Sequence, residues 1–286
     1  MSENCLTVRN VTKRFPKFSL NNLSFVLPKG YIMGLVGSNG AGKTTTIKLI
    51  LNMLEKEQGD ISVFGFDSVE NERKIKQNIG VVFDTSFFVE EWTISDTEKA
   101  LSPFYDEWSQ KTFTVMLDKF QLSRKMKIGS LSRGMQMRLM LAVAFSHNAK
   151  FLILDEPTSG LDPLARDGLL EMLQDYIRDG ERSVLFSTHI TTDLERVADY
   201  ITVLEYGKLV FTGSTEDLLQ EYYLIKGTPD ELTQDLNNRI IGLRQTAMGF
   251  EGLIKADESN QYKGYVLDTP TIDDIVVCIS KGGKKI

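Results

Sequence analysis

An α/β fold built on a parallel sheet is predicted by three apolar runs, each ending in a polar turn. Residues 31–36 run straight into Gly37-Ser38-Asn39-Gly40-Ala41-Gly42-Lys43-Thr44. Residues 151–154 end in Asp155-Glu156, and residues 183–187 end in Thr188-His189. Short, unbroken apolar runs read as central strands buried on both faces. Polar residues just past their C-terminal ends fall in the crevice where such sheets bind ligands.

The first of these turns fits the phosphate-binding pattern G-x-x-x-x-G-K-[ST]. Its context fits as well. A strand candidate precedes it, and Ile47, Ile50, Leu51 and Leu54 follow at the spacing of a helix's inner face. Glycine lets the backbone turn tightly enough for successive N–H groups to face phosphate oxygens. The helix N-terminus, with Thr45 in its first turn, adds a positive dipole. Lys43 supplies a mobile charge, and the Thr44 hydroxyl can ligate Mg²⁺. Strand, loop and helix together predict that the chain binds a nucleoside triphosphate.

Around this stretch the rest falls in order. Residues 6–8 and 23–27 are β-like, with Phe15 between them and a Pro28-Lys29-Gly30 turn after. Phe15 alone reads as a partly buried core aromatic, or as a stacking surface if something flat lies nearby. Residues 59–64 and 79–83 are further strands. From Asp84 to about residue 148 the texture turns helical, with Ser95 an expected N-cap and Met116, Leu117 and Phe120 at helical spacing. Phe87, Phe88 and Trp92 sit at this handover, either buried together or exposed as a docking patch. Residues 129–136 bring serine and glycine to the start of a long helix running through Phe145, a second helix N-terminus suited to phosphate. Asp162 and Pro163 open another helix, whose stripe is Leu169, Leu170, Leu173, Tyr176 and Ile177 and which Gly180 ends. Residues 201–204 and 208–211 read as a hairpin. His147 reads as structural, whereas His189 ends a strand on the crevice side. Residues 215–286 form a small α+β appendage, with strands near 222–225 and 265–267 and a last helix opened by Pro270. Residues 281–286 are expected to fray.

Composition narrows the function. The chain has 286 residues, 42% hydrophobic and 25% charged, as in ordinary globular proteins. A net charge of −6 predicts no nucleic-acid partner. Cys5 and Cys278 have no metal-ligand spacing and fit a reducing compartment. There is no signal-peptide pattern, and no apolar run approaches the roughly 20 residues that span a bilayer. Any membrane role is therefore expected to come through a partner.

Taken together, these motifs resemble the nucleotide-binding subunit of ATP-binding cassette (ABC) transporters, over roughly residues 4 to 214. Gly37 to Thr44 resembles the Walker A loop, and residues 151–156 the Walker B strand with its catalytic glutamate. Residues 159–162, ending in Asp162, match the D-loop, and His189 the switch histidine. Leu131-Ser132-Arg133-Gly134-Met135 takes the place of the LSGGQ signature, and Phe15 that of the adenine-stacking aromatic. The resemblance implies an α/β P-loop NTPase: a RecA-like core with an antiparallel β subdomain and a helical subdomain near 85–148, spanning 1–214. The α+β appendage occupies 215–286.

It implies too that Thr44 and Asp155 hold Mg²⁺, that Glu156 polarises water and that His189 aligns it. Two cassettes would pair around ATP, each offering Ser132 to its partner, beneath a membrane-spanning permease at the cytoplasmic face. There are departures. Arg133 replaces a glycine, Met135 a glutamine, and Asp84 stands where the Q-loop has Gln or Glu as a metal contact. The appendage's Asp-Thr-Pro-Thr-Ile-Asp-Asp stretch (268–274) is similar to single-cassette exporters of peptides or antimicrobials, the phenol-soluble-modulin type included. A soluble ABC ATPase uncoupled from transport is the competing reading, but those proteins usually carry two cassettes, a coiled-coil insertion or cysteine motifs. A third, a sensor that binds without hydrolysis, is disfavoured by Glu156 and His189.

Overall fold

The computed structural model describes residues 3–262 and 264–282, so residues 283–286 of the expected frayed end lie outside it. Among the described residues there are three sheets. β1 (Asn4–Phe15) and β2 (Phe18–Pro28) form a long antiparallel hairpin. It extends well past residues 6–8 and 23–27 because exposed Arg9, Asn10 and Arg14, with half-buried Lys13, carry the strand onward, masking its β pattern. β3 (Ile32–Val36) follows, then α1 (Lys43–Ile50), β4 (Gln58–Val63), β5 (Phe66–Asp67), α2 (Glu72–Lys76) and β6 (Ile79–Val82). The order β2-β1-β4-β5 makes the first sheet antiparallel throughout.

α3 (Ile94–Leu101), α4 (Gln110–Lys119) and α5 (Arg133–Phe145) come next. Thr93, not Ser95, caps α3, through a reciprocal box in which Thr93 and Asp96 each accept the other's backbone N–H. Ser95 also has a glutamate three residues on, but Glu98 is buried and paired with Arg124, so it cannot reach back to close a box. These helices enclose their own core of Ile94, Phe113, Leu117, Ile128 and Leu139.

β7 (Phe151–Asp155), α6 (Pro163–Ile177), β8 (Ser183–Thr188), α7 (Thr191–Val197), β9 (Tyr200–Glu205) and β10 (Lys208–Ser214) complete the central sheet. Its order is β10-β9-β3-β8-β7-β6, parallel except for β10. Alternate residues serve opposite cores. Ile32, Leu152, Leu154, Val184 and Phe186 face α5, α6 and α7, whereas Met33, Leu35, Phe151, Ile153 and Leu185 face α1 and the first sheet. Burial on both sides explains why these strands lack polar alternation. Each such side chain contributes about 1.5–3 kcal/mol by leaving water.

The appendage holds α8 (Thr215–Gln220), β11 (Tyr222–Gly227), α9 (Gln234–Arg239), β12 (Ile241–Thr246), β13 (Gly249–Lys255), β14 (Val266–Asp268) and α10 (Ile272–Gly282). Its strands lie in the order β12-β13-β11-β14. Besides a core of its own around Ile225, Leu236 and Phe250, it sends Ile272, Ile275, Cys278 and Ile279 of α10 into the same cluster as β3, β8 and β9.

Candidate functional site

Four neighbouring parallel strands end side by side. Val36 of β3 pairs with Thr188 of β8, Ser187 with Asp155 of β7, and Leu154 with Val82 of β6. The residues that follow each strand, 37–44, 189, 156 and 84, therefore share one carboxyl edge. The loop after β3 needs glycine at both ends. A Cβ on Gly37 would lie 2.1 Å from the Leu204 carbonyl oxygen, and Gly42 (φ 111°) would meet Leu20 at 2.4 Å. Gly42 caps α1 without any side-chain acceptor, so the first-turn N–H groups of Lys43, Thr44 and Thr45 are not claimed by a cap. Asn39 and Gly40 are exposed at the loop's tip, and Ala41 is buried under it.

Lys43 is buried and donates to the Gly37 carbonyl at 2.9 Å, with its ammonium 3.5 Å from Glu156 Oε1. Asp155 is only 2% exposed; it accepts from the Thr44 hydroxyl at 2.8 Å and from Ser187 Oγ. Glu156 has a left-handed backbone (φ 54°), a strain of about 1–3 kcal/mol for a non-glycine residue. The turn is held by the Glu156 N–H, which donates to the Ser187 carbonyl at 3.0 Å. It directs Oε2 to 2.7 Å from His189 Nδ1. A carboxylate can only accept, so Nδ1 carries the proton there. The structure thus joins Lys43, Thr44, Asp155, Glu156 and His189 into one connected cluster.

The remaining candidates are placed apart from it. Phe15 ends β1, partly exposed, with its ring stacked on Phe18 at 6.3 Å; Phe18 in turn walls the loop at Gly42. Arg14, Phe15, Phe18 and Tyr206 line one open cleft. Leu131 is buried. Ser132 caps α5 by accepting the Met135 N–H at 3.3 Å, and a Cβ added at Gly134 would meet Leu161 and Gly160 only at ordinary packing distance. Asp162 caps α6, accepting the Ala165 N–H at 2.9 Å, and lies 3.5 Å from Arg138. Asp84 follows β6 on the same carboxyl edge of the sheet. No hydrogen bond among the described residues joins it to Thr44 or Asp155. Its carboxylate is instead paired with the Arg133 guanidinium, which also donates to Ser159 at 3.4 Å. Two of the three departures from the motif pattern, the acid Asp84 and the base Arg133, neutralise each other. Ser187, Phe18 and Tyr206 carried no motif and were not among the candidates. His147 is buried, stacked on Tyr105 at 3.9 Å, and burial lowers its pKa, as suits a core histidine.

Comparison with known proteins places this geometry. The family model described as "ABC transporter" matches residues 20–159. Nod factor export ATP-binding protein I of Burkholderia lata is 35% identical over 218 residues, covering 74% of this chain and 71% of that protein. The chain belongs to the ABC transporter family. Another ABC relative, the transporter ATP-binding protein EcsA of Bacillus subtilis, is 30% identical over 83% of this chain and 98% of its own length. Among solved structures, an ATP-binding subunit of an ABC transporter superposes with a TM-score of 0.69 at 28% identity, covering 75% of this chain and 91% of that one. A dimeric ATP-binding cassette bound to ADP and Pi gives a TM-score of 0.65 at 21% identity, over 73% and 98% of the two chains, and shares the fold. The chain is thus an ABC-type ATPase with the ABC cassette fold.

Proposed function

We propose that this ABC ATPase pairs with a second cassette around ATP and drives a separate membrane-spanning exporter at the cytoplasmic face. The observation that carries the reading is the cluster in which Glu156 lies between Lys43 at 3.5 Å and His189 at 2.7 Å, beside the Thr44–Asp155 pair. Lys43 and the α1 N–H groups bind and orient the triphosphate. Glu156 takes the proton of the attacking water, and His189 holds that carboxylate in place. Thr44 and Asp155 offer two hard oxygens 2.8 Å apart, one from a buried carboxylate, a donor pair that fits Mg²⁺. When bound there, Mg²⁺ supplies charge neutralisation to the phosphates. Phe15 and Tyr206 flank the adenine, and Ser132 with Gly134 meets the partner cassette's nucleotide.

Two features support the coupling to a membrane subunit. No helix among the described residues is long and apolar enough to cross a membrane. Phe87 is 70% exposed and Trp92 is exposed too, whereas Phe88 is partly buried against the helical core, so the cluster divides between docking and core. Export rests on the relative named for Nod factor export; peptides or antimicrobial compounds are the substrate class we assign, on the appendage's resemblance. Asp84 and Arg133 lie beside this patch as a coupling pair. With the membrane subunit reconstituted, Phe87→Asp is expected to abolish co-purification. Asp84→Ala should leave basal hydrolysis within about three-fold, since an exposed ion pair is worth about 0–1 kcal/mol, yet remove most of the stimulation by that subunit. Loss of basal hydrolysis with an intact stimulation ratio would make Asp84 part of the chemistry and refute its coupling role.

A further inference from the structure

The last helix makes polar contacts at both of its ends, one leading to the phosphate loop and the other to the helix that follows the His189 turn. Near its C-terminus, Ser280 Oγ donates to Glu205 Oε2 at 3.0 Å. The same carboxylate accepts from Ser38 of the phosphate loop, at 3.1 Å to Oε1 and 3.2 Å to Oε2. Glu205 is 5% exposed and ends β9, next to the Leu204 carbonyl on which Gly37 sits. The Ser38 carbonyl accepts in turn from Lys43 at 3.4 Å. At the other end of α10, Asp273 Oδ1 accepts from the Thr191 hydroxyl at 2.8 Å, and the Ile272 N–H donates to Glu195 Oε1 at 3.1 Å. Thr191 opens α7 and lies two residues beyond His189.

Between these ends Ile272, Ile275, Cys278 and Ile279 are buried in the core they share with β3, β8 and β9. From 273 to 280 the helix rises about 10 Å, a fixed spacing because its own hydrogen bonds resist stretching. Packing alone does not account for Glu205. Among the described residues it has no cationic partner, and a buried carboxylate held only by hydroxyls costs more than an apolar residue of its size.

We propose that Glu205 is a positioning residue for the phosphate loop and that α10 is a strap between that loop and the His189 turn. The appendage thereby sets nucleotide affinity through Ser280–Glu205–Ser38 and turnover through Asp273–Thr191. This rests on the ATPase reading above.

Steady-state ATP hydrolysis by the full chain separates the two ends. Ser280→Ala removes one hydrogen bond to a charged group, so KM for ATP is expected to rise about ten-fold with kcat within two-fold. Asp273→Ala should lower kcat about five-fold with KM within two-fold, and Asp273→Asn, which still accepts from Thr191, should restore it. Both positions spare the buried apolar side chains of α10, so the variants are expected to fold; a Tm scan checks this. If both variants shift only Tm, or change KM and kcat alike, α10 is packing and the proposal is overturned. A wild-type chain that hydrolyses no ATP would instead refute the ATPase reading itself.

Discussion

Glu156→Gln is expected to lower ATP turnover at least about a hundredfold, the scale of a general base. The amide keeps the size of the side chain and the strained φ of 54°, and it can still contact His189, so the turn after β7 should persist. What it loses is the ability to take a proton from water. Mg-ATP binding should survive, because Lys43, Thr44 and Asp155 are untouched. Phosphate release and equilibrium nucleotide binding, measured on the same preparation, separate the two effects. Normal turnover would remove Glu156 from its role.

Lys43→Ala should act one step earlier, on binding. Lys43 is the only side-chain cation in the loop from Gly37 to Thr44, and at 7% exposure its charge is little screened by water. Its removal takes away charge-assisted bonds worth about 1.5–3 kcal/mol each. It also leaves Glu156 without its neighbour at 3.5 Å, so a second charge near the phosphates goes unbalanced. A loss of about a hundredfold or more in ATP affinity follows, and equilibrium dialysis at micromolar nucleotide reads it. Unchanged affinity would contradict the assignment of this loop.

Both Lys43 and Glu156 lie in stretches that the sequence already marks. The parallel core could be read because its strands are short, wholly apolar and followed by glycine, acid or histidine, signals that lie within a few residues of one another. The hairpin of β12 and β13 was not among the expected strands. Gly242, Arg244 and Gln245 break the alternation, and the turn between Thr246 and Gly249 has no Asn-Gly or Asp-Gly step. The contacts of Asp84 were equally unreadable. Its pairing with Arg133 joins residues 49 apart in the chain, and spacing carries no record of which charges meet once the helices close on the sheet. Glu205 shows the same limit, since a lone acid at a strand end is ordinary until Ser38 and Ser280 converge on it. Ser187 is hidden for the opposite reason. It looks like strand filler, and only the β7–β8 register places its hydroxyl against Asp155.

The central claim is that ATP, bound through Lys43 and acted on by Glu156, holds two cassettes together. Light scattering on Glu156→Gln with Mg-ATP and with Mg-ADP tests it most directly. The account predicts a species of twice the 32.3 kDa chain mass with ATP and a single chain with ADP. A single chain under both conditions, in a variant that binds ATP, would contradict it.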